Sequence, residues 1–206
     1  MSAWGSQAAE AASSLQIARG LPAGSAAEAA RLYWLAFGGK LGPVMGPEAR
    51  AIRFIERVLS PAHALSATRD GRLLGVIGVR GAGGAFVGGT ASDLRAVYGR
   101  FGGSWRRLAF SVVADELPAD TLAIDGLAVD TEARGQGVGA ALIGALAGEA
   151  RRQGYTRLRL EVAAGNPRAR RLYERLGFEV AGETRSALSA ALFHVHTRTR
   201  MELALG

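Results

Sequence analysis

The spacing of apolar residues along this 206-residue chain changes repeatedly, and each change marks an element. Residues 15–19 read as a first strand. Pro22 to Ser25 make a turn, and Ser25 can cap a helix with Glu28 three residues on, the capping-box spacing. That helix, residues 26–37, carries Tyr33, Trp34 and Phe37, and a Gly/Pro-rich loop with Lys40 and Met45 is expected over 38–47. Ile52, Ile55 and Leu59 recur at helical spacing in a second helix over 48–59, which Pro61 ends. Residues 63–68 and 73–79 flank Asp70-Gly71, a hairpin signal. A glycine-rich stretch, 81–90, precedes two expected helices, 92–98 and 105–116, parted by Gly102-Gly103. An apolar strand over 122–129 leads to a glycine loop and a helix over 138–153, closed by Gly154. Leu158, Leu160 and Val162 alternate with charged residues in the next strand. Asn166 and Pro167 fit the N-cap and first position of a short helix stopped by Gly177. Residues 178–180 and 192–203 read as two final strands, and there is no internal repeat.

Composition reads as soluble and globular, and the mixture of strands and helices along the chain is that of an α/β domain. Hydrophobic residues make up 49% and charged residues 21%, and the length suits one domain with a real core. The chain has no cysteine, which excludes disulfides, thiolate metal sites and a cysteine nucleophile. Residues 1–14, rich in Ala and Ser, read as a poorly ordered leader without signal-peptide features, and no apolar run is long enough to span a membrane. A cytoplasmic location without membrane association is expected. The net charge of +7 comes from scattered arginines and a single lysine, Lys40. Scattered charge does not form the basic face with interleaved aromatics that nucleic-acid binding calls for, so no nucleic-acid partner is expected.

The run Arg134-Gly135-Gln136-Gly137-Val138-Gly139 carries the most chemistry. Alternate glycines let the backbone approach a ligand and turn successive N–H groups outward. A helix start directly behind adds unpaired donors and a partial positive charge. Together these make a main-chain pyrophosphate cradle.

This run resembles the acetyl-CoA loop of the GCN5-related N-acetyltransferases, whose pattern is Gln/Arg-x-x-Gly-x-Gly/Ala. Residues 166–178, from Asn166 through Ala169, Leu172 and Tyr173 to Gly177-Phe178, are similar to that family's next block, Asn-x-x-Ala-x-x-Leu-Tyr-x-x-x-Gly-Phe. Leu127-Ala128-Val129 resembles its pantetheine-binding strand. The resemblance implies one domain over 15–206 with a twisted, mostly antiparallel sheet, flanked by helices and splayed at the acetyl-CoA site. It implies acetyl-CoA as acyl donor, held by Arg134 and the amides of Gln136, Gly137, Val138, Gly139 and Ala140. It further implies that Leu127 and Val129 pair with pantetheine as an added strand, that Asn166 reaches the pantetheine or the acetyl end, with Ala169 also on the cofactor, and that Tyr173 protonates the departing thiolate. Direct transfer to a primary amine, on a small molecule or a peptide, would follow. Many relatives dimerise, so a homodimer is left open.

Alternatives stand beside these roles. Gly135-x-Gly137-x-x-Ala140 with Glu161 also fits a dinucleotide fingerprint. However, Asp130 to Arg134 separate the strand from the first glycine, and too little chain follows for a doubly wound sheet. A non-catalytic acyl-CoA-binding module is a further alternative. Tyr173 lies on an apolar stripe, where a tyrosine also serves as core. Asp125, in an apolar strand, is either a general base or a structural residue held by an ion pair with an arginine or by hydrogen bonds, and Glu161 reads as an arginine partner. His194 and His196, on one face of the expected last strand, lack a third metal ligand, so no metal site is expected; His194 is a weaker acceptor-site candidate. Residues 81–118 are more helical than the family pattern and read as an insertion. With the 38–47 loop they are expected to select the acceptor, through Tyr33, Phe37, Tyr98 and Phe101.

Overall fold

A computed structural model of the chain describes residues 14–111 and 117–206. Strand β1 (Gln16–Arg19) is followed by helices α1 (Ala26–Met45) and α2 (Glu48–Val58). Strands β2 (Ala64–Arg69) and β3 (Arg72–Gly81) form the expected hairpin, with Asp70 and Gly71 at φ of 52° and 77°, as a tight Asp-Gly turn requires. Then come β4 (Gly84–Ala85), α3 (Ala91–Ser111), β5 (Thr121–Val129), α4 (Val138–Arg152) and β6 (Arg157–Ala163). The chain finishes with α5 (Pro167–Arg175), β7 (Glu179–Arg185), α6 (Ala187–Phe193) and β8 (Thr197–Ala204).

These strands build one eight-stranded sheet in the order β1-β2-β3-β5-β6-β8-β7, with β4 paired to β3. Every pairing is antiparallel except β5 with β6, whose register covers only Thr121↔Arg157, Leu122↔Leu158 and Ala123↔Arg159. Both strands run on past that contact, to Val129 and Ala163, without pairing. The sheet therefore opens into a V in its middle, the splay expected from the sequence.

A bulge sharpens this opening. Gly78 pairs with Gly126 and Val79 with Ile124, so Asp125 is the extra residue of β5. The bulge reverses which face each later residue occupies. Leu122 and Ile124 belong to the core under α4; beyond Asp125 the alternation shifts, so Leu127 and Val129 pack on that side and Ala128 joins the opposite core. Those two cores cover the two sheet faces. One gathers Val138, Leu142, Ile143 and Leu146 of α4, and the other is built from α1, α2 and α3 around Phe54, Ile55 and Phe86.

The structure departs from the sequence reading in four places. The expected 38–47 loop is helical, because α1 continues to Met45 with Pro43 inside it. Phe37, Leu41, Val44 and Met45 keep a helical spacing and pack on the second core, and that burial outweighs the low helix propensity of Gly38, Gly39 and Gly42. The break in α3 falls at Gly99 (φ 76°), not at Gly102-Gly103. Gly103 instead allows a close approach, since a Cβ there would lie 2.9 Å from the Arg95 nitrogen. Residues 187–193 are helical, and β8 starts only at Thr197. Phe193 is buried in the second core, which fixes that last helical turn. Finally, β7 runs to Arg185 rather than ending at Val180. Residues 1–13 of the expected 1–14 leader and residues 112–116 of the expected 105–116 helix lie outside the described residues. Among the described residues no helix is long and apolar enough to cross a membrane.

Candidate active site

The opening between β5 and β6 is a cavity of about 580 Å³, walled by α1, the glycine loop, both strands and α5. Its floor is the free edge of β5. Asp130 N–H donates to Leu74 of the β3 side at 2.8 Å. Alternation then turns the main-chain groups of Leu127 and Val129 the other way, toward the cavity, where they can pair with an extended ligand. Ala128 does not share this position: it is 1% exposed, lies on the opposite face and is absent from the cavity wall.

The glycine loop is held from outside. Asp130 accepts the Glu132 N–H at 2.9 Å, and Arg72 clamps Asp130 and Glu132 at 2.8 and 2.9 Å. These contacts account for the residues between β5 and the first glycine. Gly135 and Gly137 have φ of 83° and 82°, and a Cβ at either would meet nothing within 4 Å, so glycine serves the backbone conformation here. Gly137 is the N-cap of α4, no side chain caps it, and the first bond into the helix runs from Ala141 N–H to Gly137 O at 2.9 Å. The amides of Val138, Gly139 and Ala140 precede that bond and are left for a ligand. Such a row of free donors with a helix start behind it suits a pyrophosphate. Gln136 is held by neighbours of the loop. Its N–H lies 3.4 Å from Ala133 O, and its side chain bridges Arg69 and the Glu132 carbonyl at 2.9 and 2.8 Å, away from the cavity. Arg134 lines the cavity and donates from Nε to Val129 O at 3.2 Å.

Helix α5 forms the facing wall. Asn166 caps it, its Oδ1 accepting from Ala169 N–H at 3.2 Å, and both residues line the cavity. Tyr173, two turns along, lines it too. Its ring stands 5.8 Å from Phe178 and packs on the first core, while its hydroxyl has no hydrogen-bond partner among the described residues. Burial pushes that hydroxyl above the ordinary tyrosine pKa, so it keeps its proton. The core and acid readings are thus compatible: the ring packs while the oxygen stays available.

Asp125 is not brought to the cavity. Its carboxyl accepts the Val87 N–H beside Arg80, and burial, the larger influence, raises its pKa. Its charge also helps burial to push the Tyr33 hydroxyl up. These neighbours match the structural one of its two readings: the bulge carboxylate ties the segment after β4 to the sheet. Glu161 does line the cavity, paired with Arg198 at 2.7 Å. His194 has φ 52° between α6 and β8, neither histidine lies on a strand, and neither lines the cavity. No group of three metal-ligating side chains exists among the described residues.

Of the four expected acceptor residues, only Phe37 lines the cavity. It covers the bulge, since a Cβ on Gly126 would lie 3.0 Å from its ring. Tyr33, 9% exposed, packs behind it at 4.6 Å between centroids. Tyr98 is buried, donates its hydroxyl to Met45 O at 2.7 Å and lies 3.9 Å under the Arg106 guanidinium. Phe101 is 94% exposed and stands off the site. Leu35, Ala36 and Lys40 of α1 are wall residues that sequence reasoning did not single out, and Lys40 joins the helix wall because α1 runs on past Phe37. Burial holds the Lys40 ammonium below the usual lysine pKa. Being the one lysine of the chain was the signal that could have singled it out.

The model of the acetyltransferase (GNAT) family matches residues 27–178, and the chain belongs to that family of N-acetyltransferases. Among solved structures, an N-acetyltransferase from Staphylococcus aureus Mu50 is similar in fold at 16% identity, covering 91% of this chain and 100% of that one, with a TM-score of 0.64. The ribosomal-protein-S18-alanine N-acetyltransferase from Escherichia coli is 18% identical over 94% of this chain and 95% of its own, at 0.58. A GCN5-related N-acetyltransferase from Kribbella flavida is 18% identical over 92% and 97%, at 0.59. Comparison with the curated proteins gave no match.

Proposed function

We propose that this chain transfers acetyl directly from acetyl-CoA to a primary amine inside the β5–β6 cavity. One observation carries the reading: the free amides at the start of α4 and the unpartnered Tyr173 hydroxyl open into the same space. The residues suit acetyl-CoA: a donor row for pyrophosphate, a free strand edge for an amide-bearing arm, and an apolar wall for the acyl end. When bound, the thioester supplies an activated acyl carbon and a thiol leaving group. Val138, Gly139 and Ala140 bind through their amides, Leu127 and Val129 orient, and the Asn166 cap fixes the start of α5. Tyr173 holds the proton that the leaving sulfur needs. Phe37 and the apolar face of α1 exclude water from the acyl end. The acceptor ammonium loses its proton to solvent in the open cavity, since Asp125 is turned to Val87 and Glu161 to Arg198.

A thiol-release assay over a panel of amines (polyamines, free lysine, peptide N-termini and aminoglycosides) tests the reading. Amine-dependent release of CoA, with the acetylated amine in the product, is the expected result. Release that is the same with and without every amine would contradict it.

A further inference from the structure

We propose that Lys40 is a site of self-acetylation: in the absence of an acceptor, its own amine takes the acetyl group of the acetyl-CoA bound beside it. This rests on the acetyl-CoA reading of the cavity. Lys40 lines the same cavity as Tyr173 and the glycine loop, one helical turn beyond Phe37 on the wall the acceptor would meet. It is half-buried, and it makes no ion pair or hydrogen bond among the described residues. A lysine amine without a partner carboxylate in a partly dry site is a ready nucleophile. Burial shifts it toward the neutral form that can attack.

The step balances with the groups present. The Lys40 Nζ lone pair forms a C–N bond to the thioester carbonyl carbon as the C–S bond breaks. The sulfur leaves as thiolate and takes a proton from the Tyr173 hydroxyl, and the surplus amine proton passes to water, which returns one to the Tyr173 oxygen. The products are N-acetyl-lysine and free CoA, with nothing oxidised or reduced. The acetylated side chain loses its charge and lengthens into the acceptor wall, so the modified enzyme would bind an acceptor differently.

This chain makes the test unusually clean, because its amines are Lys40 and the N-terminus alone. The purified protein is incubated with acetyl-CoA and followed by intact mass and by tryptic mapping. Acetylation at Lys40 blocks cleavage there and leaves one peptide running from Leu32 to Arg50. The expected result is one acetyl group gained at Lys40. Its rate should saturate with acetyl-CoA, stay independent of protein concentration and fall at least tenfold in Tyr173→Phe. Excess CoA should suppress it, and Lys40→Arg should lose it. A rate that rises linearly with acetyl-CoA and ignores CoA is solution chemistry and overturns the proposal. So does a gain at the N-terminus only, or no gain in protein that still binds acetyl-CoA and acetylates an amine. Protein that does not bind acetyl-CoA by calorimetry overturns the functional reading itself, and this inference with it.

Discussion

Replacing Tyr173 with Phe deletes one oxygen and keeps the ring. The contact with Phe178 at 5.8 Å and the packing on the first core survive the change. The lost hydroxyl has no partner among the described residues, so no buried donor or acceptor is orphaned. Stability should therefore move by no more than about 0.5 kcal/mol. For a chain of this length that is a melting shift of roughly 1–2 °C. Catalysis should respond far more. A positioned general acid is worth about 10² to 10⁴ in rate, or roughly 2.7 to 5.4 kcal/mol of barrier at 1.36 kcal/mol per decade. Thiol release at saturating substrates measures kcat, and a thermal melt on the same preparations measures stability. The KM for acetyl-CoA should stay within about threefold, because the cradle amides are untouched. The wild-type pH profile adds a check of sign. Burial raises the Tyr173 pKa, so the proton is held through neutral and mildly alkaline pH, and no loss of kcat from this group is expected below about pH 10. A mutant with unchanged kcat and a melting point many degrees lower would mean that Tyr173 is core and nothing more.

Asp125→Asn should leave the acidic limb of kcat/KM in place, since the carboxyl faces Val87 and not the cavity. Its folded pKa lies above its unfolded value of about 3.9, so the stability it contributes is complete below that value and is lost as pH rises through the folded pKa. Denaturant melts should show wild type losing stability relative to Asp125→Asn as pH rises from about 4, and a difference independent of pH would refute this. Gly78→Ala would place a Cβ 2.3 Å from the ring of fully buried Phe86, and a urea melt should show about 1–3 kcal/mol of destabilisation. Phe37→Ala should raise the acceptor KM. Tyr98→Phe should leave that KM alone and cost about 1–3 kcal/mol of stability, because it strips the partner from the buried Met45 carbonyl; the reverse pattern would move the acceptor wall from α1 to α3.

Local signals made most of the cofactor side legible in the sequence. The positive-φ glycines, the Asn166 cap and the Asp70-Gly71 turn are chemistry that a few adjacent residues dictate, and each appears where the spacing put it. What escaped depends on contacts between distant segments. Gly38, Gly39 and Pro43 argue for a loop until the second core claims Val44 and Met45. Residues 192–196 look like alternating strand, yet Phe193 is drawn into a helix by burial against α1. The bulge at Asp125 has no sequence mark of its own; it exists because β3 and β5 fall out of register at Gly78 and Val79. That slip decides which side chains of β5 meet the cavity, and it turns Ala128 to the opposite face. The acceptor residues suffered most, because aromatic content could not tell Phe37, on the wall, from buried Tyr98 or exposed Phe101.

The central claim is that the cavity between β5 and β6 is built for acetyl-CoA, and ligand-dependent melting tests it most directly. A ligand at a hundredfold excess over its Kd stabilises by about 2.7 kcal/mol, which for a chain of this length is roughly 5–10 °C. The account predicts a shift of that size with acetyl-CoA, a comparable one with CoA and none with NAD or NADP. A melting point that ignores acetyl-CoA, or that rises equally with a dinucleotide, would contradict it.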